Sequence, residues 1–293
     1  MIPSLFDYFA PSTLDETLLL LDQYGEDGKI LAGGHSLIPA MRLRLAQPEK
    51  IIDIGALRPQ LSYIKQNDNN IVIGAMTSYY EIETSTLLKE TWPVLPEATS
   101  LIGDTQIRNW GTIGGSLVHA DPSSDLPAVL LALGAELVLQ SKAGGERLVP
   151  IEEFFVHIMT TSIEPNELLI EIRIPKPQGQ KASYVKLANK ASHYAVVGAA
   201  VVVSLNQGII REIKIAFSGL AATPLRAEGV EEALKGQLPN DAIIAAACKE
   251  CAAEVDALTD LHGSQEYRRA MAEVYAKRAI KAAISRNLSL IRL

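Results

Sequence analysis

Ile30-Leu31-Ala32-Gly33-Gly34-His35-Ser36 and Gly111-Thr112-Ile113-Gly114-Gly115-Ser116 are the two stretches on which the reading of this chain turns. Each leads from an apolar, strand-like approach into a tight polar turn whose backbone N–H groups no large side chain shields. Glycine tolerates φ > 0 and lets a backbone come close to a ligand. Successive N–H groups in such a turn form a concave anion site, and Ser36, Thr112 and Ser116 add hydroxyls at the rims. One such stretch alone reads equally as an ordinary tight turn. Two in one chain suit the gripping of an extended diphosphate from both sides.

The surroundings of the first stretch imitate a dinucleotide fold. A strand over 29–32, the Gly-Gly turn, an apolar helical stretch over 37–45 and a second strand ending at Asp53 make a βαβ-like unit. Asp53 falls about 20 residues past the glycines, where a ribose-binding acid stands in that fold. The fingerprint itself fails. The order is G-G-H-S rather than G-x-G-x-x-G, and the second stretch, G-T-I-G-G, fails as well. A nicotinamide site of that type is rejected.

Outward from these stretches, Thr13-x-x-Glu16 is a capping-box start and Gly25 a helix stop. Segments 61–65 and 70–74 flank an Asn67-Asp68-Asn69 turn and read as a hairpin. Helical stretches follow over 80–90 and 95–101, then 126–133 after Ser123-Ser124-Asp125. Segments 136–140 and 167–174 read as strands, and Pro175-Lys176-Pro177-Gln178-Gly179 as a linker. Beyond it, strands are expected over 183–188, 195–205 and 209–218, and helices over 227–235, 241–255 and 265–285.

The 293 residues, 48% hydrophobic, suffice for a large core and two or three domains. A net charge of −7 argues against a nucleic-acid partner. The opening Met-Ile-Pro-Ser has no basic n-region, and the apolar runs 195–203 and 242–247 are too short to cross a bilayer. No transmembrane segment and a cytoplasmic location are therefore expected. The two cysteines, Cys248 and Cys251, are too few for a common iron–sulfur cluster. Their C-x-x-C lies in an alanine-rich stretch that reads as a helix interior, so two packed cysteines are expected and no metal site.

A32-G-G-H-S36, T112-I-G-G-S116, the following Asp125-Leu126 and the late Ser264-x-x-Tyr267-Arg268-Arg269 together resemble one family. It is the FAD-binding medium subunit of molybdenum hydroxylases, the carbon monoxide dehydrogenase and xanthine dehydrogenase group. The resemblance runs from Phe9-Ala10-Pro11 to the C-terminal helix. It implies an α+β fold with a two-subdomain FAD-binding part of the vanillyl-alcohol-oxidase/PCMH type. The first FAD subdomain would occupy 1–56 and the second 57–176. A C-terminal α+β domain over 177–293 would carry a three-stranded antiparallel sheet with helices.

The same resemblance assigns the site. Leu31, Ala32, Gly33, Gly34, His35, Ser36 and Leu37 would wrap the FAD diphosphate through backbone amides, and Gly111, Thr112, Gly114, Gly115 and Ser116 would close it from the other side. Ser116 departs from the Asn often found there, which shortens its reach. Asp125 would meet a ribose hydroxyl, since a carboxylate beside a diphosphate is repelled; a helix cap is its plain alternative. Ile102 and Leu169 would line the flavin or adenine, with core packing as the rival in each case. Lys186 would approach the flavin as a cation, and Tyr194 would stack beside the isoalloxazine. His119 reads either as a neighbour of the cofactor or as a satisfied polar residue. No residue is assigned a catalytic role.

The resemblance implies electron transfer rather than substrate hydroxylation. Electrons would arrive from a [2Fe–2S] partner subunit and leave to an external acceptor. The molybdenum cofactor would sit on a separate large subunit, in a heterotrimer or its dimer. Two rivals stand beside this: a self-contained FAD oxidoreductase of a small organic substrate, and a flavin-free scaffold, which has no need of intact glycine motifs.

Overall fold

Three principal sheets follow one another along the chain in a computed structural model, which describes residues 2–249 and 251–286. The first is parallel, with β1 (Asp7–Phe9), β2 (Gly28–Leu31) and β3 (Lys50–Asp53) in the order β1-β3-β2. Thr13 and Glu16 close the expected capping box on helix Leu14–Tyr24, and Gly25 ends it at φ +50°. Leu18 and Leu21 of this helix are buried with Ile52 of β3. The helix after the first glycine stretch, Leu37–Arg42, is shorter than expected, because Arg44 turns the chain at φ 59°.

The second sheet is antiparallel. Its strands β4 (Ile64–Gln66), β5 (Asn70–Gly74), β6 (Glu136–Ser141) and β7 (Gly145–Pro150) are joined, beyond the small hairpin β8 (Phe155–His157) and β9 (Thr160–Thr161), by β10 (Glu167–Pro175). The order is β4-β5-β10-β6-β7. Asn67 Oδ1 accepts from the N–H groups of Asn69 and Asn70, which explains the polar turn of the first hairpin. The helical stretch expected over 80–90 is two helices, Tyr79–Thr84 and Thr86–Thr91. Ser85 divides them: its backbone is extended and its side chain accepts from Leu88 N–H, the local competition that serines offer a helix. Helix Thr105–Trp110 and strands β7 to β9 carry no periodic signal long enough to have been anticipated.

The third sheet corrects an expectation. It has four antiparallel strands rather than three, β11 (Lys181–Ala188), β12 (Ala195–Asn206), β13 (Ile209–Ser218) and β14 (Leu225–Arg226). The fourth is two residues long, below what alternation can reveal. One side of the sheet packs on helix Gln265–Ser285, whose Ala272, Ala276, Ala279 and Ala283 are fully buried. Tyr184, Ala200 and Ala216 point instead into the core built by helix Asp125–Leu133 and the second sheet. Both faces being covered, β12 is almost wholly apolar.

The motif Ser264-x-x-Tyr267-Arg268-Arg269 is structural. Ser264 caps the long helix by accepting from Tyr267 N–H at 3.2 Å. Arg268, 1% exposed, donates to the carbonyls of Val196 and Gly219 and to Asp260 Oδ1 at 2.5, 2.6 and 2.7 Å. Arg269 holds the Val255 carbonyl with two donors. That last contact explains another correction: the helix expected over 241–255 ends at Cys248, and the chain beyond turns so that Val255 meets Arg269. Cys251 thus lies outside the helix. Burial pushes the Cys248 thiol up to about 12 and the Cys251 thiol to about 11, so neither is a ready thiolate.

Candidate cofactor site

At the end of β2 the chain enters a turn with Gly34 at φ +74°. The backbone angle requires glycine, and a Cβ there would also fall 2.6 Å from Ile38 Cδ1, a side chain that would have to shift. Among the described residues, no acceptor takes the N–H groups of Gly33, Gly34, His35, Ser36 or Leu37. The Gly34 and Ser36 carbonyls, by contrast, are taken by Ile38 and Ala40 N–H. Five consecutive unsatisfied donors in a bent turn form a concavity that favours anionic oxygen. The exposed His35 ring turns back to the Gly33 carbonyl, Nδ1 lying 3.2 Å from it, and leaves the cradle open. Leu31 and Ala32 are half-buried at its base.

The second motif is not the mirror of the first. Ile113, Gly114, Gly115 and Ser116 form the first turns of helix Ile113–His119, with Thr112 as N-cap accepting from Gly115 N–H at 3.1 Å. The N–H groups of Gly111, Ile113, Gly114 and Ser116 also have acceptors, in Ile107, Thr77, Ala75 and Thr112. Thr112 N–H alone in this motif is free among the described residues. The expected loop of open amides is therefore a capped helix start, and its glycines serve close packing. A Cβ on Gly114 would strike the Ala75 carbonyl oxygen at 2.7 Å, and one on Gly111 the Tyr79 ring at 2.6 Å. Gly115 is exposed and meets only Thr112 Oγ1. The Ser116 hydroxyl faces that of Tyr79, whose ionisation burial pushes far up.

The two motifs touch. A Cβ on Gly33 would lie 1.9 Å from the Trp110 carbonyl oxygen and 3.2 Å from Gly111 Cα. The first turn thus stands against the backbone at the entry to the second helix, where Trp110 is 62% exposed. Asp53, placed in sequence like a ribose-binding acid, is instead a β3 terminator. Its Oδ2 accepts from Tyr8 hydroxyl at 2.6 Å and its Oδ1 from Gly55 N–H at 2.8 Å.

The remaining expected residues gather around a buried ion pair. Asp125 opens helix Asp125–Leu133 and is 4% exposed. Its Oδ1 accepts from Tyr184 hydroxyl at 2.5 Å and its Oδ2 from Lys186 Nζ at 2.9 Å. Burial pushes the Asp125 carboxyl up, while the Lys186 ammonium and the Tyr184 hydroxyl pull it down. Lys186 also donates to the Leu101 carbonyl at 2.8 Å and the His193 carbonyl at 2.6 Å. All three of its donors thus have partners within the chain. Asp125, too, is placed with internal partners rather than facing open space.

Ile102 follows the Leu101 carbonyl held by Lys186 and packs half-buried on the main core. Leu169 is 3% exposed in that same core. Tyr194 is 45% exposed on the hairpin between β11 and β12, and sits within electrostatic range of Tyr79, Asp121 and Asp125. His119 is half-buried, and burial lowers its basicity. Sequence reading missed Trp110 and Tyr79; nothing in their spacing marks them, because tertiary contacts bring them in.

Five consecutive free amides at 33–37, set against a glycine-edged helix start, suit a diphosphate-bearing cofactor. Residues 4–177 match the family model of the FAD binding domain in molybdopterin dehydrogenase, and residues 182–283 that of the CO dehydrogenase flavoprotein C-terminal domain. The chain belongs to the FAD-binding medium-subunit family of molybdenum hydroxylases, and its cofactor is FAD. It is 41% identical over 287 residues to the carbon monoxide dehydrogenase medium chain of Hydrogenophaga pseudoflava, covering 98% of this chain and 99% of that one. It is 38% identical to the glyceraldehyde dehydrogenase medium chain of Sulfolobus acidocaldarius, covering 96% and 99%. A solved structure of carbon monoxide dehydrogenase from Hydrogenophaga pseudoflava, lacking the Mo-pyranopterin moiety, superposes with a TM-score of 0.93 at 42% identity, over 98% of this chain and 99% of that chain. The free amides at 33–37 fit the diphosphate of FAD.

Proposed function

We propose that this chain is the electron-transfer subunit of a molybdenum-containing hydroxylase or dehydrogenase, standing between a [2Fe–2S] partner subunit and an external acceptor. The observation that carries the reading is the row of free N–H groups at 33–37, set against Trp110 and Gly111 in a chain of this family. Bound FAD supplies the exchange of one or two electrons. The chain's own residues hold it: residues 31–37 bind the diphosphate, Thr112 N–H and the open Gly115 surface complete the far wall, and Tyr194 covers the ring. The acidic chain, with no helix among the described residues long and apolar enough to cross a membrane, fits a cytoplasmic complex.

Partners follow from the same reading: a large subunit with the molybdenum cofactor and a small iron–sulfur subunit, in a heterotrimer or its dimer. Among the described residues no group of three or more His, Cys, Asp or Glu is placed to hold a metal ion. Relatives of similar identity are named for carbon monoxide and for glyceraldehyde, so the oxidised substrate is a property of the large subunit. The test is purification of the chain alone and with its partner chains. The chain alone is expected to show the oxidised-flavin spectrum and no hydroxylase turnover. A colourless chain that still assembles would favour the scaffold, and substrate-driven bleaching of the isolated chain the self-contained enzyme.

A further inference from the structure

We propose that Lys186 is a positioning residue, whose ammonium fixes the hairpin that carries Tyr194 and couples it to the Leu101–Ile102 turn and to the start of helix Asp125–Leu133. The inference rests on the reading of Tyr194 as the residue that covers the flavin ring. Lys186 projects from β11, and its side chain is 4% exposed. Its three acceptors come from three separate segments: Leu101 before the Thr105–Trp110 helix, Asp125, and His193 at the hairpin tip. An ammonium has three donors, and each has an acceptor in a different segment.

The hairpin needs such a tie. Asn189 organises it internally: its Oδ1 accepts from Ala191 and Ser192 N–H, its N–H donates to the Tyr194 carbonyl, and its carbonyl accepts from His193 N–H. His193 stands at φ 63°, a conformation a non-glycine residue keeps only when its surroundings hold it. The Lys186 bond to the His193 carbonyl, at 2.6 Å, is that hold from the protein interior. Asn189 Nδ2, 2.9 Å from His262 Nδ1, ties the outer side to the turn between Asp260 and Gly263. The side-chain partner that holds the ammonium in place is Asp125, whose Oδ2 accepts from it at 2.9 Å. Removing the cation therefore frees three things together: the Leu101 carbonyl, the Asp125 carboxylate and the tip beside Tyr194.

Lys190, exposed in the hairpin, gives a readout that needs no cofactor. Lys186→Met alone strands a buried carboxylate, so the decisive variant is Lys186→Met/Asp125→Asn in the assembled complex. Tryptic cleavage after Lys190 should rise roughly tenfold, as expected for local opening. Cleavage after Lys142, in the turn between β6 and β7, should be unchanged. Retained flavin with a shifted visible dichroism and a severalfold change in reoxidation should accompany it. Equal rates at both lysines in variant and parent, or an equal rise at both, overturns the proposal. Hydrogen exchange of the unaltered complex tests the same point without any variant. The Asn189 and His193 amides should exchange as slowly as those of β12, and fast exchange there overturns the clamp. A complex devoid of FAD would refute the functional reading, while proteolysis and exchange would still decide the role of Lys186.

Discussion

Gly33 and Trp110 meet backbone to backbone: a Cβ on the one would stand 1.9 Å from the carbonyl oxygen of the other. This contact joins the first, parallel sheet to the helical layer of the second, and it explains why a glycine without positive φ is needed at 33. Gly33→Ala should push the two motifs apart, at a cost of about 1–3 kcal/mol for an overpacked contact. Thermal unfolding should drop accordingly, and flavin content should fall with it. Full flavin at unchanged stability would mean that this approach is not required.

Gly34 differs from its neighbour in what it asks of a side chain. At φ +74°, Gly34→Val imposes a left-handed β-branched residue, which costs on the order of 1–3 kcal/mol, and drives its Cβ into Ile38. Ile38 is 46% exposed and able to move, so the fold should survive. The five amides should lose their alignment and the purified variant its FAD, measured as the ratio of flavin to protein absorbance. A variant with parental flavin content removes residues 33–37 from the site.

Tyr194→Ala should separate affinity from electron delivery. On the proposed reading the turn at 33–37 holds the cofactor and is left untouched, whereas an exposed ring stacked on the flavin would contribute roughly 0.5–1.5 kcal/mol. Stopped-flow reoxidation of the reduced complex should therefore change severalfold with flavin retained. Unchanged kinetics and an unchanged flavin spectrum would place Tyr194 away from the ring.

Local chemistry was legible wherever a signal closes within one turn of chain. Thr13 and Glu16 announce their helix, Asn67 its hairpin and Ser264 the long helix, each through bonds to amides two or three residues away. The first glycine turn was legible for the same reason. The second was misread as a loop, because what sets its shape is distant: Thr77 and Ala75 accept its amides, and Thr112 caps it into a helix. Asp125 and Lys186 were identified as site residues, yet their mutual bond spans 61 positions, and no spacing rule predicts that each is the other's partner. Trp110 and Tyr79 were invisible on the same ground.

The C-terminal domain offers a last test, in which burial and charge separate cleanly. Arg268 is 1% exposed and serves two backbone carbonyls, whereas its acidic partner Asp260 is 43% exposed. Arg268→Met should leave the Val196 and Gly219 carbonyls without a donor and cost about 3–5 kcal/mol, as when one partner of a buried charge network is removed. Asp260→Asn should cost less than about 1 kcal/mol, the scale of solvent-screened pairs. The amides of His262 and Gly263 and the Arg268 cation hold the Asp260 carboxyl below its ordinary range against the opposing effect of burial. A carboxyl lowered by folding contributes stability above its unfolded value and loses it as pH falls through the folded one. Acid titration of the parent should therefore show a small extra loss of stability below the ordinary carboxylate range, and Asp260→Asn should flatten that limb. Equal losses for Arg268→Met and Asp260→Asn would show that the ion pair, rather than the two carbonyl bonds, secures the helix to the sheet.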